Sequence, residues 1–301
     1  MKFKPYLQLV RLPNLFTAAA DSLAGWLIVR GSLQHPGQWL PLVAISVCLY
    51  TYGIVLNDLK DIEVDRVERP WRPLPSGRVS KEAASGIMQA SLILAPILNG
   101  LSFDFSEMWR SLAVSFALAA AIGGYNTLFK RTQLAPLVMG SCRGLNLLLG
   151  LSVDPSLGGP VCWLIAGSLA VFVAGVTWIS RSEVETGRRR GIALGIGVQA
   201  AGLMGLMAGS IELADRADRA LHPGLGLMVL LAVAVVVGWA DFRALRRPEP
   251  RSTQRAVKTG VLALVWLDVA VVAAAQGPGV AWVVAALWVP AFVLGRWLYS
   301  T

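Results

Sequence analysis

The sequence predicts an all-α, polytopic transmembrane bundle of nine or ten helices. Three observations carry this. The 301 residues are 55% hydrophobic and only 15% charged, well under the roughly one-quarter charge of soluble domains. The apolar residues gather into runs of about twenty, the length that crosses a bilayer core. Lys and Arg gather in alternate loops, as the positive-inside rule requires.

The runs follow in order. The first, about residues 14–30, comes after Lys2, Lys4 and Arg11, carries Asp21 and shows no A-x-A cleavage site. It therefore reads as a retained span rather than a signal peptide. The second, 38–57, ends directly in an acidic stretch. Runs 83–103 and 109–128 follow, and then 134–152, which holds Arg143 and Asn146. Next come 160–179 and 191–210. The latter contains Gly195, Gly197, Gly202 and Gly205, a small-residue pattern that permits close helix packing. It is not a phosphate loop, because no Lys-Ser/Thr follows. Run 223–241 precedes a final pair, 259–276 and 279–298, joined by the turn Gly277-Pro278-Gly279. This pair leaves the count at nine or ten. No polar linker of domain-separating length interrupts the chain, so residues 1–301 read as one domain.

Of the 27 Lys and Arg residues, 21 fall at the N-terminus or in the even-numbered loops. This places the N-terminus and those loops in the cytoplasm and the protein in a membrane, the bacterial cytoplasmic membrane being expected. The net charge of +9 is thereby explained by topology, and no nucleic-acid partner is expected. Cys48, Cys142 and Cys162 lie in apolar runs without metal spacing and read as packing residues. His35 and His222 sit alone in loops without a ligand constellation.

The chemistry concentrates after the second run. Asn57, Asp58, Asp61, Glu63 and Asp65 fall within residues 57–65. On a helix, Asn57, Asp61 and Asp65 share one face, with Asp58 beside it. Carboxylates held this close repel unless a cation lies between them. Hard oxygen ligands with room for water suit Mg²⁺, which is held by few carboxylates together with substrate phosphates. Polar groups that continue a transmembrane helix are costly unless they face a wet cavity and bind something. The stretch reads as a site for a magnesium-bound phosphate ester at a membrane surface. Two further apolar runs carry ionisable groups, Asp21 and Asp268, and a third holds the Arg143/Asn146 pair. Asp21 reads either as a group that holds an acceptor hydroxyl or as a partner of Arg143. Asp268 reads as structural. Each half of the chain has an apolar span ending in an acidic, arginine-rich loop (57–81 and 180–190), which suggests two pseudo-repeated halves with a site between them.

At these residues the chain resembles the UbiA superfamily of intramembrane prenyltransferases. Asn57-Asp58-x-x-Asp61-x-x-x-Asp65 is similar to that family's N-D-x-x-D-x-x-x-D. Arg69-Pro70-x-Arg72-Pro73-Leu74-Pro75-Ser76-Gly77 resembles the arginine-proline segment that follows it. Arg11-Leu12-Pro13-Asn14, Tyr125-x-x-x-x-Lys130-Arg131 and Arg143-x-x-Asn146-x-x-x-Gly150 resemble its N-terminal, fourth-span and fifth-span patterns. The resemblance covers roughly residues 5–210 and lies closest to members from bacterial biosynthetic gene clusters. It implies helices ringed around a central cavity, and a Mg²⁺-dependent transfer of an isoprenyl group from a prenyl diphosphate to a small aromatic or other lipophilic acceptor. The metal ligands it implies are Asn57, Asp58, Asp61, Asp65, Glu183 and Glu185. Where the family usually carries D-x-x-x-D, this chain reads Ser180-Arg181-Ser182-Glu183-Val184-Glu185, a departure that bears on a second metal. The diphosphate contacts would be Arg72, Lys130 and Arg131, with Arg66 and Arg181 as further candidates. The catalytic set would be Asp58, Asp61, Asp65, Arg72 and Lys130, and the acceptor or cavity set Asp21, Tyr125, Arg143 and Asn146. Membrane lipids would be the surroundings. The alternatives are a non-catalytic lipid-binding member or a secondary transporter. The transporter would need its polar groups at midplane, whereas here they lie at the cytoplasmic face.

Overall fold

The computed structural model describes residues 3–181, 188–216 and 223–298. The chain starts with a short helix α1 (Lys4–Leu9), then α2 (Leu12–Arg30), α3 (Pro36–Lys60) and a seven-residue α4 (Ile62–Glu68). It continues through α5 (Lys81–Ser102) and α6 (Phe105–Gly124), which runs into a π-helical turn at Tyr125–Phe129. Then come α7 (Ala135–Leu151), α8 (Gly159–Arg181), α9 (Arg188–Arg216), α10 (Pro223–Arg246), α11 (Pro250–Gln276), α12 (Pro278–Ala286) and α13 (Trp288–Leu298). Among the described residues, nine helical segments are long and apolar enough to cross a membrane; α12 and α13 together form the last of them. The remaining predicted run, the fifth (134–152), is α7, which has 17 residues.

Four helices form the inside: α2, α7, α8 and α11 bury most of their length. Their neighbours turn apolar side chains outward, as Met228, Leu231, Val235 and Val236 do on α10. A continuous exposed apolar face of this kind belongs against lipid. The two halves mirror one another in their packing. α3 lies on α5 as α8 lies on α9, and α2 meets α7, its counterpart, at the centre.

The α2–α7 contact is backbone against backbone. A Cβ added at Gly150 would come within 1.9 Å of the Ser22 carbonyl oxygen, and one at Gly25 within 2.3 Å of the Leu147 carbonyl. Glycine is the residue that permits such an approach. Of the glycines predicted to pack closely on α9, Gly195, Gly202 and Gly205 do so against α8, while Gly197 faces open space.

The alternation of the helices brings the described basic segments between them to one end. There Gln8 donates to the Leu298 carbonyl at 3.1 Å, and Arg181 donates to the Thr132 carbonyl. At the opposite end Gln276 donates to the Ile28 carbonyl at 2.8 Å, and Arg110 donates to the Ser152 carbonyl at 3.0 Å.

Candidate functional site

The acidic stretch is not one straight helix. α3 carries Asn57 and Asp58 past the last apolar turn, but the backbone breaks at Asp61 (φ −90°, ψ 2°) before α4 begins. The helical hydrogen bonds continue across the break, from the Asp61 N–H to the Asn57 carbonyl and from the Asp65 N–H to the Asp61 carbonyl. By their partners the side chains sort into two sets, joined where Asn57 donates to Asp58 at 3.4 Å. Asn57 and Asp61 face one way, with Nδ2 of Asn57 3.2 Å from Asp61. Asp58 and Asp65, seven residues apart, are bridged by Arg72. Its guanidinium donates to Asp65 at 2.6 Å and lies 3.7 Å from Asp58. Both carboxylates are nearly fully buried.

Local packing explains why Arg72 reaches them. The segment 69–80 is a series of turns pinned by Leu74 and Val79, which bury with Leu9, Val55, Ile62 and Ala84 into a small apolar cluster. Pro73 accepts from the Val79 N–H at 3.0 Å. Arg11 arrives from the other side. It takes the left-handed conformation (φ 48°) as the N-cap of α2 and donates to Asp58 at 3.0 Å. That backbone region is disfavoured for a residue with a Cβ, and its use here aims the side chain at the site.

The first set is completed from α6. The π-helical turn adds one residue to a helical turn, a feature frequent at functional sites. Asn126 holds the turn against α3, donating to the carbonyls of Ile122 at 3.0 Å and Gly53 at 3.4 Å. Lys130 follows it; its N–H donates to the Tyr125 carbonyl, and its Nζ donates to Asn57 at 2.8 Å and to Asp61.

Beneath these groups lies a cavity of about 290 Å³, lined at its mouth by Arg11, Asn57, Tyr125 and Asn126 and deeper by Tyr50, Leu118, Ile122, Cys142, Arg143 and Asn146. Arg143 is held from behind. It donates to Asp21 at 2.7 Å, to the Thr17 carbonyl at 3.1 Å and to the Thr17 hydroxyl at 2.9 Å, and its guanidinium lies over the Tyr50 ring. Asn146 donates to the same Asp21 oxygen at 3.0 Å. Asp21 is fully buried and outside the cavity lining, so it orients Arg143 and Asn146 and is not itself positioned to meet an acceptor. Asp268 of α11 lies beside Asp21 in this cluster.

Other predicted residues lie elsewhere. Arg66 pairs with Glu63 at 2.7 Å on an exposed surface, away from both sets. Arg131 is exposed at the end of the π turn. Arg181 ties the end of α8 to Thr132 and so steadies the segment after Lys130. Glu183 and Glu185 lie outside the described residues. Asn126 and Tyr50 were not singled out by sequence; Asn126 adjoins Tyr125, but a π turn has no compositional signal.

The oxygen donors fit a divalent cation in kind. Asn57, Asp58, Asp61 and Asp65 are hard ligands on adjacent turns, and Mg²⁺ takes few carboxylates with the remainder supplied by water and phosphate. Among the described residues no three His, Cys, Asp or Glu groups are gathered as a cluster for a metal, and Asp58, Asp61 and Asp65 each have a cationic partner.

A model of the UbiA prenyltransferase family matches residues 20–266, further along the chain than the resemblance read from its motifs. The digeranylgeranylglyceryl phosphate synthase of Sulfolobus acidocaldarius is 34% identical over 121 residues, which cover 39% of this chain and 44% of that one. The chain thus spans less than half the length of this curated relative. The enzyme of the same name from Thermococcus sibiricus is 23% identical over 270 residues, 86% of this chain and 92% of its own. A solved structure titled for a digeranylgeranylglyceryl phosphate synthase in membranes shares the fold, with a TM-score of 0.63 at 20% identity, covering 91% of this chain and 99% of its own.

Proposed function

The chain belongs to the UbiA prenyltransferase family, and on that premise we propose that this integral membrane protein transfers an isoprenyl group from a prenyl diphosphate to a lipophilic acceptor and releases pyrophosphate. The observation that carries the reading is that Asn57, Arg11 and Tyr125 line a mostly apolar cavity while Asn57 is also held by Lys130, which donates to Asp61. A diphosphate belongs at the polar mouth and its hydrocarbon chain in the cavity below.

Asp58, Asp61 and Asp65, with Asn57, would hold Mg²⁺, and Glu183 and Glu185 would complete a second site. Bound there, the metal supplies charge neutralisation for the departing diphosphate. Lys130, Arg72 and Arg131 would contact the remaining phosphate oxygens, Lys as a point charge and Arg through its fork. They stabilise the negative charge that grows on the leaving oxygen as the allylic C–O bond breaks and its electron pair departs with pyrophosphate. The acceptor's nucleophilic atom then bonds to the allylic carbon and gives up its proton. Leu118, Ile122 and the Tyr125 ring keep water from the cation that this step exposes. The basic end, with the N-terminus, faces the cytoplasm on the positive-inside rule.

The relatives are named for a glyceryl phosphate carrying two geranylgeranyl groups, and this supports a lipid acceptor over an aromatic one. The test is incubation of the purified protein with a panel of radiolabelled prenyl diphosphates and native lipid extract. Magnesium-dependent pyrophosphate release with label moving into a lipid product is expected. Binding without release identifies a non-catalytic lipid binder, and uptake without release a transporter; either outcome sinks the transferase reading.

A further inference from the structure

A second, larger cavity of about 860 Å³ opens at the same end of the bundle, on the other side of Asp58. Six basic residues line it: Lys4, Arg11, Arg69, Arg72, Arg78 and Lys258. The single carboxylate in its lining is Asp58, and that group is already paired with Arg11 and faced by Arg72. Arg69 leans toward Asp65 at 3.6 Å. Three cations remain without a carboxylate among the described residues. Arg78 donates to Gln8, to Ser76 and to the Trp71 carbonyl. Lys4 lies over the Trp297 ring. Lys258, exposed on α11, has no hydrogen bond or ion pair to any described residue. The far wall is apolar, built from Val261 and Leu262 of α11 and from Ala291, Gly295 and Leu298 of α13.

The two cavities are chemically different and share a border. Asp61 and Lys130 do not line the second one. Asn57 and Asp58, adjacent in sequence, face the first and the second respectively, and Arg11 lines both. A like-charged group of this size in a confined space is unfavourable until an anion enters it. Arginine forks with neighbouring lysines suit phosphate oxygens, and a phosphate monoester brings between one and two negative charges. The apolar wall of two membrane-spanning helices suits a hydrocarbon chain. A basic head with an apolar flank is the complement of an amphiphile.

We propose that this second cavity seats the phosphate headgroup of an amphiphilic lipid, the acceptor, on Lys4, Arg78 and Lys258 with its chain along α11 and α13. That the lipid is the acceptor rests on the prenyl-transfer reading; that the cavity binds it does not. The position accounts for how two anionic substrates are kept apart. The donor's diphosphate would lie along the acidic stretch 57–65, and the acceptor's phosphate at the far side of the second cavity, on Lys4, Arg78 and Lys258, with Arg11 and Arg72 between the two.

The test is calorimetric titration of the full-length protein, in neutral detergent and without any prenyl diphosphate, using dioctanoyl phosphatidic acid as the probe. Saturable binding is expected, with dioctanoylglycerol, which lacks the phosphate, failing to bind. Lys258→Gln should weaken binding several-fold, and Lys4→Gln/Lys258→Gln tenfold or more. Both should leave the affinity for geranylgeranyl diphosphate within twofold. Lys258 is exposed and makes no hydrogen bond or ion pair among the described residues, so its substitution tests the ligand and not the fold. No saturable binding, or equal affinity in wild type and double variant, would overturn the proposal. So would an equal loss of geranylgeranyl diphosphate binding, which would make these lysines part of the donor site. Inorganic phosphate competing as well as the lipid would assign the cavity to a free anion and overturn the lipid reading. Intact lipid binding in a protein that never releases pyrophosphate would count against prenyl transfer alone and leave the cavity's ligand class standing.

Discussion

Lys130 donates its ammonium hydrogen to the Asp61 carboxylate, from a π-helical turn to the point where α3 breaks into α4. The two groups neutralise one another at the place where a metal–diphosphate pair would separate them, each then taking a partner of its own sign preference.

That relationship makes Asp61→Ala a sharp test. Deleting the carboxylate removes a proposed ligand and also frees Lys130, while no core packing is lost because Asp61 is only half-buried. Turnover is expected to fall by far more than tenfold with the protein still monodisperse and helical. A variant retaining more than about a tenth of the activity, a loss under ~1.4 kcal/mol of transition-state stabilisation, would remove Asp61 from the site.

Arg72→Lys probes the bridge between Asp58 and Asp65. Lysine keeps the charge but loses the planar guanidinium whose Nη1 lies between the two carboxylates. Turnover should drop about tenfold or more, roughly 1.4 kcal/mol, and the magnesium titration should shift to higher concentration. Steady-state rates across a magnesium series measure both.

Asp21→Ala should act through stability. It leaves the buried Arg143 guanidinium with Thr17 as its remaining hydrogen-bond partner. Breaking a buried ion pair on one side costs about 3–5 kcal/mol. Thermal unfolding in detergent should show a large drop in midpoint. An unchanged midpoint would mean that the cluster does not hold Arg143.

Gly150→Ala tests the α2–α7 contact. The added methyl would meet the Ser22 carbonyl oxygen at 1.9 Å unless the helices part, and overpacking of this kind costs about 1–3 kcal/mol. The thermal midpoint should fall. Gly197→Ala, at a position facing open space on α9, is the matched control and should leave it unchanged.

Topology can be read directly. In a background lacking Cys48, Cys142 and Cys162, a cysteine at Ser76 should be labelled by an impermeant reagent only from the cytoplasmic side, and one at Asp154 only from the other. Labelling of both positions from one side would break the assignment of the basic end.

The bundle itself was legible because membrane spans announce themselves by length and apolarity, and all ten predicted runs are helical. The acidic stretch was legible as chemistry but not as geometry. The i, i+4, i+8 spacing put Asp65 beside Asn57 and Asp61, whereas the i, i+7 spacing of Asp58 and Asp65, close to two helical turns, is the one that Arg72 bridges. Asp21 was open between two roles because hydropathy cannot tell a cavity wall from the layer behind it. The π turn that aims Lys130 depends on Asn126 reaching the Gly53 carbonyl on another helix. The second cavity draws on Lys4, Arg78 and Lys258, which are remote in sequence, and each alone reads as ordinary positive-inside charge. The second acidic motif stays a sequence expectation, since Glu183 and Glu185 lie outside the described residues.

The pairing of each site carboxylate with a cation bears on biogenesis. Asp58, Asp61 and Asp65 would be a repelling strip if they met in the assembling bundle alone, and a chain in that position would need its metal in order to fold, as zinc fingers do. Here Arg11, Arg72 and Lys130 come from three separate segments and cancel that strip as the helices close. On the proposed reading of the site, the nascent protein would complete its insertion without magnesium and take up metal and diphosphate afterwards, with assembly and loading as separate events.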